Sequence, residues 1–129
     1  MNKLLSFQQK VGVVLKDSQN PFFKSSYADL NALLDVVKPI LNELELSIHQ
    51  PLGIDSGKNV LKTQIVDGDN MIAESIIYLP DIQDPQKIGS AITYFRRYSL
   101  QSLLMLQAID DDSNMASNKN TVEPAKSNW

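Results

Sequence analysis

Cysteine is absent from the 129 residues, so no disulfide, thiolate metal site or thiol nucleophile can be built, which suits a reducing compartment. Histidine is nearly absent too: His49 stands alone, and a multi-histidine metal centre is excluded. There is no surplus of positive charge. Twelve lysines and arginines face 15 acids for a formal net charge of -3, so any site for a polyanion must be a local basic patch. No apolar run approaches the roughly 18 to 20 residues of a membrane-spanning helix. Ser6, Gln8, Gln9 and Lys10 break up the segment Leu4 to Leu15 too often for a signal-peptide core. The chain is expected to work in the cytoplasm, away from membranes. Nucleotide-binding and hydrolase signatures are missing as well: no Gly-rich loop ends in Gly-Lys-Ser/Thr, and neither Gly-x-Gly-x-x-Gly nor Gly-x-Ser-x-Gly occurs. Ser90 near Lys87 finds no base or orienting third group, so no catalysis is expected.

What is present suits one globular domain with a tail, at 43% hydrophobic residues. Leu4, Leu5, Phe7, Val11, Val14 and Leu15 recur at helical spacing and predict an amphipathic helix over Lys3 to Lys16. Asp17-Ser18-Gln19-Asn20-Pro21 should end it. Ser25 or Ser26 is the expected cap of a second helix, whose stripe is Leu30, Leu33, Leu34, Val37, Leu41 and Leu44. Pro39 inside that stripe predicts a kink or break near Val37 to Lys38, because proline lacks the N–H and crowds the carbonyl four residues back.

From Glu45 to Leu79 the residues alternate and become β-branched, predicting a three-stranded antiparallel meander. Gly53 to Gly57 is read as a loose first turn and Asp67-Gly68-Asp69-Asn70 as a tight second one. The second turn also resembles part of a calcium loop, but the terminal bidentate glutamate is missing. Asp84 and Pro85 fit an N-cap followed by proline at the first helical position, starting a long helix that should reach about Leu106. After Ala108 comes Asp110-Asp111-Asp112 and then small and polar residues, too few of them apolar to offset the entropy of ordering. The expected class is therefore α+β: a small meander packed against helices, a long C-terminal helix, a core domain over 1–108 and a disordered acidic tail over 109–129.

Most of the chemistry lies in the last helix. Ile88, Ile92, Phe95, Leu103 and Leu106 are read as its core face, with Ser90, Tyr94, Arg97 and Gln101 on another and Arg96 beside them. Arg96 and Arg97 suit phosphates, and Tyr94 and Tyr98 offer planes for bases, a combination typical of single-strand binders. Gly89, Ser90 and Ala91 at the helix start leave N–H groups approachable by a phosphate. The same residues also suit a solvated or protein-binding face, and Lys58 and Lys62 either extend a basic track or guard a sheet edge. Asp110 to Asp112 are read as an electrostatic arm, without metal.

Five blocks in order, Asn20-Pro-Phe-Phe-Lys-Ser-Ser-Tyr-Ala-Asp-Leu30, Val37-Lys-Pro39, Asp84-Pro-Gln86, Gly89-Ser-Ala-Ile-Thr-Tyr-Phe-Arg-Arg-Tyr98 and Asp110-Asp-Asp112, resemble the signatures of the essential recombination function (ERF) family of phage single-strand annealing proteins. Phe95 stands where that pattern commonly has a small residue. The resemblance implies a small sheet with a hairpin against a long helix, work in recombination and repair within a bacterial host, and assembly as a ring or filament. It implies no nucleotide hydrolysis, and no cofactor or metal is expected. It also carries a DNA-contact role onto Arg96 and Arg97 first, then Lys24, Tyr27 and Tyr98; Tyr94, Lys87 and Phe23 are added as candidate contacts from residue type and position. Phe22 is read as a hydrophobic staple instead. The expected partners are single-stranded DNA, the annealed duplex intermediate, further copies of the chain, and a host single-stranded DNA-binding protein or exonuclease. Two alternatives stay open: a module that coats DNA without annealing it, and a protein-interaction module.

Overall fold

The computed structural model describes residues 2–15, 18–19, 26–27 and 29–109. Helix α1 runs over Lys3–Lys10, its first turn closed by the Asn2 side chain, which accepts from the Leu5 N–H at 3.1 Å. It stops short of the expected Lys16. Val11 is already extended, and Val13–Leu15 form strand β1, paired in parallel with β8 (Gln107–Ile109). Val11, Val13 and Val14 favour extended backbone, Gly12 disfavours helix, and β8 was there to receive them. Of the expected stripe, Phe7 and Val11 are buried while Leu5 is exposed. Two short strands, β2 (Ser18–Gln19) and β3 (Ser26–Tyr27), pair antiparallel.

Helix α2 spans Leu30–Glu43 and is capped by Asp29, whose carboxylate accepts from the Ala32 N–H at 2.8 Å, rather than by Ser25 or Ser26. The expected break does not occur: the helix continues through Pro39. Asp35 and Pro39 both face solvent, where water can satisfy the carbonyl that proline leaves unpaired. Leu33, Val37 and Leu41 form its buried stripe.

The sheet follows as β4 (Leu46–His49), β5 (Leu52–Asp55), β6 (Lys58–Asp67) and β7 (Asn70–Tyr78). Both β4 and β5 pair antiparallel with β6 along one side, and β7 pairs along the other. The meander is thus as expected, except that its first strand is interrupted at Gln50-Pro51. The first turn is tighter than expected. Gly53 lies inside β5, and the chain reverses at Ser56-Gly57, both with positive φ (52° and 77°), the pattern of a type I′ hairpin. At the second turn Gly68 has φ 64°, as a type II′ turn needs at its first central position.

Helix α3 covers Pro85–Leu103, with Asp84 as N-cap and Pro85 at the first position, and ends one turn before the expected Leu106. The helices cover one face of the sheet. Phe7, Val11, Leu33, Val37, Leu41, Leu46, Ile65, Leu100 and Leu104 make one core, joining α1, α2, α3, β4 and β6. Residues 110–129, which hold the expected tail, lie outside the described residues.

Candidate nucleic-acid interface

Helix α3 is oriented by a clamp that sequence reading missed. Gln50, at the interruption between β4 and β5, donates from Nε2 to the Thr63 hydroxyl at 3.0 Å and to the Arg96 carbonyl at 3.1 Å. Its Oε1 accepts from Arg96 Nε at 3.0 Å. Thr63 is fully buried, so these bonds join the sheet interior to the helix flank.

Arg96 therefore lies on the sheet side of α3, and the core face is rotated from the expected one. Ser99 and Leu100 are buried there, whereas Phe95 is only half-buried. The signal was in the spacing: Arg96 stands four residues from Ile92 and four from Leu100, in the middle of an apolar ladder.

The opposite side carries a different cluster. Tyr94 and Tyr98, one turn apart, stand 49% and 46% exposed, with ring centroids 4.6 Å apart in an edge-on arrangement at 62°. Arg97 Cζ lies 5.7 Å from the Tyr94 ring centre and 5.4 Å from that of Tyr98, within reach of a cation–π attraction to each. The hydrogen bond with Tyr98 raises the Tyr94 hydroxyl above its ordinary value, helped by the charge of Tyr98 and slight desolvation and opposed by Arg97. The Tyr94 hydroxyl thus stays protonated throughout the physiological range. Lys87 is exposed two turns earlier on the same side.

The two adjacent arginines do not form one paired site: Arg97 joins the tyrosines, and Arg96 holds the helix to the sheet. Nor is the helix start open to a phosphate. The Asp84 carboxylate accepts from the Lys87 N–H at 3.3 Å, and Gly89, Ser90 and Ala91 stand in the second turn, where N–H groups belong to the helical ladder. Lys24 and Phe23 lie outside the described residues. Tyr27 is placed by its backbone alone, opposite Ser18. Lys62 lies across Gly53, where an added Cβ would meet its Cε at 3.4 Å, and Lys58 Nζ is 6.0 Å from the Tyr78 ring centre.

A cleft of about 840 Å³ opens between the Ser56-Gly57 turn, the connection after β7 and the start of α3. Lys58, Asn59, Tyr78, Gln83, Ile88 and Ile92 are among its walls, while Tyr94, Arg97 and Tyr98 are not. The cleft and the aromatic face are separate surfaces. Among the described residues, no group of three histidine, cysteine or acidic side chains is placed to hold a metal, and no helix is long and apolar enough to cross a membrane.

An antiparallel sheet covered on one face by helices, the longest of which turns two tyrosines to solvent with an arginine beside them, defines an α+β domain. The family model of the ERF superfamily matches residues 1–128. The chain belongs to the ERF superfamily, which associates it with phage recombination and single-strand annealing. No curated protein and no solved structure matches it.

Proposed function

We propose that the chain binds single-stranded DNA on the outer face of α3 and anneals complementary strands without ATP, as an assembly of several copies. The carrying observation is the exposed pair Tyr94 and Tyr98 with the half-buried Arg97 guanidinium against both rings. Each tyrosine offers a plane on which any base can stack, worth about 1–3 kcal/mol per base, and the guanidinium offsets phosphate repulsion. Lys87 extends the face, and Lys24, Tyr27 and Phe23 are further DNA contacts suggested by the family block in which they stand. Arg96 acts as a positioning residue.

A strand held by its backbone and by partial stacking keeps its pairing edges open to a second strand. Stacking in the product duplex then drives the reaction, at about 1.4 kcal/mol per step, so neither nucleotide hydrolysis nor a catalytic residue is required. A helix of 19 residues is only about 28 Å long, too short a track to test register, so several copies act together. The setting is the cytoplasm of a bacterial host, with a host single-stranded DNA-binding protein or exonuclease as a further partner.

The test is retention of a labelled oligonucleotide at low ionic strength, with the rate at which complementary strands join. Tyr94→Ala/Tyr98→Ala should weaken binding by at least about 30-fold. Arg97→Ala should also make the logarithmic salt dependence shallower by about one. Wild-type retention and joining by the triple alanine variant would sink the assignment to this face. Retention combined with slowed joining would favour a coating protein instead.

A further inference from the structure

Exposed apolar side chains are not spread evenly over the fold. Of the ten large hydrophobic residues that stand exposed among those described, six lie on the two outer strands: Leu52 and Ile54 on β5, and Met71, Ile72, Ile76 and Tyr78 on β7. Among the described residues, the outward backbone edges of β4–β5 and of β7 have no strand partner. Proteins commonly blunt such edges with lysine, proline or short strands. β7 has none of these: it runs for nine residues, and its single charge, Glu74, already accepts from Gln64 at 2.8 Å. The opposite edge, Leu46 to Asp55, is one residue longer but is made of two four-residue strands interrupted at Gln50-Pro51, so the two edges span about 30 and 34 Å and only that of β7 is wholly unguarded.

We propose that β7 of one copy pairs with the β4–β5 edge of the next, joining the sheets head to tail. The inference deepens the assembly proposed above and rests on it for the choice of a second copy as the partner. Both outer strands run antiparallel to β6, so they run parallel to each other, and a repeat in one orientation makes a parallel junction. A contact between two different edges builds a ring if the rotation per copy closes and a filament if it does not. Every copy then shows its α3 on the same side of the joined sheet, so the short helix faces line up as one track. An isologous pair of β7 strands would close as a dimer and leave Leu52 and Ile54, 59% and 71% exposed, unaccounted for.

Because the chain has no cysteine, single thiols can report the junction. His49 and Glu74 are exposed and flank Gln64 in one transverse row of the sheet. Equal amounts of His49→Cys and Glu74→Cys protein, treated with a flexible bis-maleimide without DNA, should give covalent pairs several-fold above either variant alone. The double variant should give a ladder beyond two chains. Equal linking by Glu74→Cys alone would show the isologous pair and overturn the proposal. Absence of linking while native mass shows several copies would overturn it too, as would a native mass of one copy at every concentration. As a second check, Ile72→Lys/Ile76→Lys should keep its circular dichroism and fall to single copies; an unchanged mass would count against the junction. A ladder without annealing sinks only the DNA reading, and annealing without a ladder sinks only this one.

Discussion

Replacing Gln50 with alanine tests whether the clamp holds α3. The substitution removes three hydrogen bonds, at 3.0, 3.1 and 3.0 Å, and leaves the fully buried Thr63 hydroxyl without the partner it now has. An orphaned buried hydroxyl costs about 1–3 kcal/mol, and a charge-assisted bond contributes about 1.5–3 kcal/mol. Arg96 is only half-buried, so water replaces part of what it loses, and the net loss should be about 2–3 kcal/mol. At roughly 4 °C per kcal/mol, the thermal midpoint should fall on the order of 10 °C. Urea titration and thermal melts followed by circular dichroism measure both. Thr63→Val in the same background should return about 1 kcal/mol, because no buried hydroxyl then remains unpaired. Arg96→Ala should show a comparable thermal loss with an unchanged salt slope for DNA, and Arg97→Ala the reverse. A loss below about 0.5 kcal/mol for Gln50→Ala would refute the clamp.

Two further outcomes are expected. Pro39→Ala should stabilise the protein by about 1–2 kcal/mol in urea titration, since alanine restores the N–H facing the Asp35 carbonyl and gains helix propensity, less the stiffness that proline gives the unfolded chain. The Tyr78 hydroxyl donates to Asp55 at 2.6 Å, and that bond raises its pKa, so the associated stability is present below about pH 10 and lost as pH rises through the folded value. Asp55→Asn should move the Tyr78 phenolate step, read by ultraviolet absorbance, to lower pH; an unmoved titration would contradict the pairing.

Local signals carried much of the architecture. The strand alternation, the glycine of the second turn and the Asp84-Pro85 helix start are each set by near neighbours, and each appears where the residues put it. The misplaced boundaries have distant causes. The end of α1 depends on β8, which no residue near Val13 announces. α2 tolerates Pro39 because the affected carbonyl faces water, a fact of burial and not of pattern. Arg96 was placed beside the polar face, although its spacing from Ile92 and Leu100 put it on the inner one. Gln50 gave no signal at all, being one polar residue beside a proline until the fold set Thr63 and Arg96 around it.

The parallel pairing of β1 with β8 makes completion of the fold a late event during synthesis. Val13 to Leu15 leave the ribosome long before Gln107 to Ile109 do, so their backbone groups wait for a partner while the sheet and both longer helices are made. Closing so distant a contact also slows folding relative to a chain of local contacts. A nascent chain halted within α3 would carry an unmatched extended segment, and would be a natural client for a chaperone until β8 arrived.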